Sequence, residues 1–85
     1  MFYTYILQSK RDNGFYIGQT NDLNSRLEKH NKGLVKSTRH RIPFELVYAL
    51  SFEERANAVN LERYLKSKKK QAYIEKVIAS HKAGL

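Results

Sequence analysis

An 85-residue chain has room for one domain and one modest core, because a domain this small buries only about 60% of the surface its unfolded chain exposes. No cysteine and three histidines without paired spacing (His30, His40, His81) exclude disulfide frameworks and the usual zinc sites. Sixteen Lys and Arg against eight Asp and Glu leave a formal charge of +8, which points to an anionic partner, nucleic acid foremost; the alternative is a basic domain that is merely soluble.

The N-terminal MFYTYILQSK lacks the basic region and long apolar core of a leader, and nothing approaches the roughly 20 apolar residues of a membrane span. A cytoplasmic protein is therefore expected. FYTYILQS mixes β-branched and aromatic residues, and GFYIGQT follows KRDNG, whose Asn13-Gly14 pair signals a hairpin; two antiparallel strands are predicted. TNDLNSRLEKHNKG carries cap-type residues at Thr20 to Asp22, Leu23 and Leu27 one turn apart, and Gly33 as a stop, so a helix of about three turns follows. VKSTRHRIP reads as a basic loop, and Pro43 opens a third strand, FELVYAL. Ser51 and Glu54 have capping-box spacing before a helix with Ala58, Leu61 and Leu65 on its buried stripe, running to about Lys66. The segment KKKQAYIEKVIASHK keeps Ile74, Val77 and Ile78 on one side and reads as a third helix, although its lysine-rich start opposes the helix dipole. The fold class predicted is α+β: a small three-stranded antiparallel sheet flanked by helices, order β-β-α-β-α-α, as one domain over residues 1–85.

Basic residues gather in the loop with Lys36, Arg39 and Arg41 and in the run with Lys66, Lys68 and Lys69; these are the candidate nucleic-acid contacts. Cutting a polyanion needs an activated water, a cation or metal on the phosphate, and neutralisation of the departing oxygen. Without cysteine or paired histidines, the metal would be a hard ion such as Mg²⁺, held by carboxylate, water and phosphate oxygens. Most of the carboxylates have turn or helix-cap explanations. Glu62, beside the apolar stripe, is either a half-desolvated ligand or simply the i,i+4 partner of Lys66. Arg26 and His30 share a face of the first helix and could reach one ligand; the alternatives are a solvated arginine and a histidine that suits a helix C-terminus. Tyr3, Tyr5 and Tyr16 cluster on the hairpin, where packing is the ordinary role of tyrosine.

These positions together resemble the GIY-YIG nuclease superfamily, in particular its short single-domain uncharacterised bacterial members. The resemblance rests on Tyr3-Thr4-Tyr5, then Tyr16-Ile17-Gly18, the helix NDLNSRLEKH and the glutamate of AVNLERYLK. It implies Tyr16 as general base toward water, Tyr5 as its partner, Arg26 on phosphate charge, Glu62 as ligand of a single Mg²⁺ or Mn²⁺ ion, and His30 as a further site position. The chain departs from the family pattern at Tyr3, where glycine is usual, at Gln19, and at Ile74, where some relatives carry asparagine. The function implied is a metal-dependent endonuclease that hydrolyses DNA phosphodiester bonds by one-step water attack. Target choice would come from DNA shape, branched or single-stranded, from a recruiting protein or from self-association. A non-catalytic DNA- or RNA-binding module on the same fold, and an adaptor for an acidic protein, are the other readings.

Overall fold

The structure, a computed structural model, describes residues 1–68 and 70–83. The elements follow the predicted order: β1 (Phe2–Ser9), β2 (Phe15–Thr20), α1 (Leu23–Asn31), β3 (Phe44–Phe52), α2 (Arg55–Ser67) and α3 (Gln71–Ala83), with one 3₁₀ turn at Arg39–Arg41. The sheet is antiparallel throughout in the order β2-β1-β3, so the apolar first strand is central and β2 and β3 are edges. Alternation along β1 sends Tyr5 and Leu7 to one face and Thr4 and Ile6 to the other. Tyr5 and Leu7 join Phe44, Tyr16, Leu23 and Leu27 beneath α1. Ile6 joins Tyr48, Leu65, Ile74 and Ile78 beneath α2 and α3. Burial of these two apolar layers, at about 25 cal/mol per Å², is what holds the helices on the sheet.

The hairpin turns as the sequence requires. Ser9 N–H donates to the Gly14 carbonyl, and Asn13 adopts the positive φ (62°) that asparagine tolerates. Asp22 caps α1 by accepting from the Ser25 amide at 3.1 Å, and Gly33, at φ 75°, follows its end. α2 begins differently from its predicted capping box. Ser51 is still in β3, paired with Tyr3, and Glu54 occupies the cap without a side-chain bond, because β3 extends two residues past FELVYAL to complete its ladder with β1. α3 starts at Gln71, after the lysines. The Lys70 carbonyl accepts from the Tyr73 and Ile74 amides, so the positive run is left outside the helix whose N-terminus it would oppose. No helix among the described residues is long and apolar enough to cross a membrane.

Candidate active site

The site is built on the α1 face of the sheet, around the hydroxyl of Tyr5. Tyr5 stands on the central strand opposite Gly18 of the β2 edge, and its ring lies over that glycine. A Cβ at position 18 would come within 2.5 Å of the Tyr5 hydroxyl and 2.7 Å of its Cζ, so only glycine leaves this path open. The space a side chain would take at position 18 is filled by Tyr5.

One turn of α1 then presents Arg26 and His30 to the same oxygen. Arg26 Nε donates to the Tyr5 hydroxyl at 3.4 Å, and His30 Nε2 is hydrogen-bonded to it at 3.3 Å. The other ring nitrogen of His30, Nδ1, is hydrogen-bonded to Thr38 Oγ1 at 2.8 Å. Tyr16 completes the cluster: its ring meets His30 edge-on at 4.8 Å between centroids and lies 6.4 Å from Tyr5. Tyr5, at 2% exposure, and His30, at 0%, are interior groups, whereas Tyr16 is half-buried. The tyrosine with access to solvent is therefore Tyr16. Asn31 anchors the end of α1, donating to the Phe44 carbonyl at 3.0 Å and accepting from its amide at 2.7 Å, which fixes the helix against β3.

Electrostatics sort these groups. Burial pushes the Tyr5 phenol up; the Arg26 hydrogen bond acts in the opposite direction but does not overcome it, and Tyr16 and Glu62 reinforce the rise. Tyr5 is thus held neutral. Arg26 moves further up, chiefly through its bond to Tyr5, and stays charged. Burial, with the Arg26 charge adding to it, brings His30 down to about 4, so its imidazole is neutral at pH 7. His30, near the C-terminal end of α1, is therefore a neutral, wholly buried hydrogen-bonding group.

Glu62 lies on α2, and its charge is the smallest of the effects on the Tyr5 phenol. Its side chain is 19% exposed and pairs with Lys66 at 3.0 Å, so it is partly desolvated and one half of an i,i+4 pair. Among the described residues no cluster of three or more His, Cys, Asp or Glu could cage a metal. A single carboxylate suits Mg²⁺ or Mn²⁺ all the same, since Mg²⁺ keeps several waters and is commonly held by one or two carboxylates plus substrate phosphate.

The predicted cations divide. Lys36 and Arg39 are exposed on the loop after α1. Arg41 is engaged within the molecule: it donates to Asp12 at 2.8 Å, lies 5.5 Å over the Phe44 ring and ties the hairpin to β3. Lys66 is held by Glu62, and Lys68 sits over the Tyr64 ring at 5.4 Å; Lys69 lies outside the described residues. Of the departures, Ile74 is a core residue at 3% exposure, where an asparagine amide would need partners, and Gln19 accepts from Arg55 at 3.4 Å. Thr38 was absent from every sequence-based candidate. Nothing in RHR or STR spacing marks it; only the loop fold brings it to His30.

A family model described as the GIY-YIG catalytic domain matches residues 1–76. The chain belongs to the GIY-YIG family. It is 44% identical over 75 residues to UPF0213 protein YazA of Bacillus subtilis, covering 84% of this chain and 75% of that one. It is 45% identical over 67 residues to UPF0213 protein CPE1444 of Clostridium perfringens, covering 78% and 71%. Among solved structures it is similar to the solution NMR structure of UPF0213 protein BH0048 from Bacillus halodurans, with a TM-score of 0.58 and 34% identity over 93% of this chain and 84% of that one. That neighbour shares the three-stranded α+β architecture, and membership places the chain in a nuclease family of small bacterial GIY-YIG proteins.

Proposed function

We propose that this GIY-YIG protein is a Mg²⁺- or Mn²⁺-dependent endonuclease that hydrolyses DNA phosphodiester bonds by direct attack of one water. The observation that supports it most is the convergence of Tyr5, Tyr16, Arg26 and His30 on one point of the sheet. Tyr16, the more exposed phenol of the cluster, takes up the proton of the attacking water, with Arg26 beside it as the compensating cation. Tyr5 stays neutral and keeps Arg26 in place through Nε. The terminal nitrogens of Arg26 then offer a planar fork to the phosphate as its charge develops. Glu62 would hold the ion, which when bound neutralises the scissile phosphate and the leaving oxygen. Lys36 and Arg39 supply exposed positive charge for the backbone beyond the cut.

The test is a cleavage panel of plasmid, forked, Holliday-type and single-stranded DNA with Mg²⁺ or Mn²⁺. Tyr16→Phe, Arg26→Ala and Glu62→Ala should abolish cutting and leave much of the binding; variants that cut like the parent would refute the assignment. The pairing of Glu62 with Lys66 favours a second reading, a DNA- or RNA-binding module with its acidic group internally neutralised. That reading predicts no divalent-dependent cleavage of any substrate, with affinity that falls steeply as salt rises.

A further inference from the structure

The phosphodiesterase reading leaves one residue of the site without a role. Thr38, 1% exposed in the loop between α1 and β3, belongs to no motif, yet its hydroxyl makes the shortest contact of the cluster. Its function follows from counting hydrogens. A neutral imidazole carries one N–H, on either Nδ1 or Nε2. The Tyr5 oxygen already receives the Arg26 Nε–H. Were His30 protonated on Nε2, that oxygen would receive a second hydrogen, and the Tyr5 hydroxyl's own hydrogen would have no acceptor among its partners in the described residues. An unmet buried donor costs about 1 to 3 kcal/mol.

With the hydrogen on Nδ1, every donor is used once. Arg26 donates to Tyr5, Tyr5 to His30 Nε2, His30 Nδ1 to Thr38, and Thr38 to the Val35 carbonyl at 3.4 Å. That carbonyl also receives the Thr38 and Arg39 amides, the local turn onto which a threonine hydroxyl commonly folds back. The geometry points to Thr38 as a positioning residue: by accepting the Nδ1–H it leaves Nε2 free to take the Tyr5 hydrogen, which turns a Tyr5 lone pair to Arg26 and aims the guanidinium at the phosphate. This role rests on the proposed hydrolytic site and extends it by two links into the loop.

The test joins ¹⁵N NMR of the His30 ring at neutral pH, without nucleic acid, to cleavage in Mg²⁺. In the parent protein Nδ1 should have a protonated, pyrrole-type shift and Nε2 a pyridine-type one. Thr38→Val, which keeps the shape and removes the acceptor, should move the hydrogen to Nε2 and lower cleavage roughly 10- to 100-fold, by analogy with the loss of groups that orient a histidine. Thr38→Ser should restore both the tautomer and the rate, which a purely packing role would not. A parent protein protonated on Nε2 overturns the proposal with no variant needed, as does a folded Thr38→Val that keeps the Nδ1 hydrogen or the parental rate. If the tautomers behave as stated while no substrate is cut by the parent, the nuclease reading falls and the positioning of Arg26 by Thr38 stands.

Discussion

Acidification from pH 7.5 to pH 5 should destabilise the fold through His30 before the carboxylates take part. His30 is fully buried with both nitrogens hydrogen-bonded, and its folded-state value is brought from 6.5 to about 4. A depressed histidine means that the unfolded chain binds the proton more readily than the native one. Stability is therefore complete above about pH 6.5 and lost progressively as pH falls toward 4. At 1.36 kcal/mol per pKa unit the full effect is about 3 kcal/mol, of which about 2 kcal/mol is spent by pH 5. For a domain of this size that is a fall in melting temperature of roughly 10 °C. Urea denaturation followed by circular dichroism at pH 7.5, 6 and 5 measures it, and the His30 ring resonances report the titration directly. His30→Gln should lower stability at pH 7.5 and flatten its dependence over this window. A curve flat from pH 7.5 to 5 in the parent, with His30 titrating near 6.5, would refute the reasoning. Asp12 acts in a separate range. Its carboxyl is held down to about 2, first by the Arg41 hydrogen bond and then by the Gly14 amide, so its contribution is present above about 3.8 and disappears only toward pH 2.

Gly18→Ala places a methyl within 2.5 Å of the Tyr5 hydroxyl; it should cost about 1 to 3 kcal/mol in urea titrations and abolish cleavage by separating Tyr5 from Arg26 and His30. Lys66→Ala frees Glu62 from its ion pair; it should change stability by no more than about 0.5 kcal/mol and lower the Mg²⁺ concentration for half-maximal cleavage, read from a metal titration of the rate. Arg41→Ala removes the clamp between hairpin and β3, and NMR titration should then find the Asp12 carboxyl returned toward 3.8. Replacing Lys36 and Arg39 by alanine should weaken binding to all DNA sequences alike and reduce the salt slope by about one per lysine or arginine lost, measured by fluorescence anisotropy.

Much of this protein was legible before any coordinates. Alternating aromatic and branched residues, an Asn-Gly turn and an Asp cap are local signals, and β1, β2 and α1 formed where those signals stood. The ordered set of Tyr5, Tyr16, Arg26, His30 and Glu62 was also readable, because each lies in a recognisable segment. Boundaries were less so. Ser51 looked like a cap by spacing, but its pairing with Tyr3 across the sheet outweighed that local preference.

What the tertiary structure alone decided is which of these residues touch and in what state. Sequence spacing put Arg26 and His30 on one helix face; only packing of α1 on the sheet set Arg26 on the oxygen of Tyr5 and stripped His30 of water, so that it is neutral where an exposed histidine would be half-charged near pH 6.5. The commitment of Arg41 to Asp12, 29 residues away, and the arrival of Thr38 beside His30 are contacts made by loop closure, which leaves no periodic trace along the chain. Residue type and spacing determined what chemistry was available. The long-range fold, by fixing distances and excluding solvent, determined which atoms can perform it.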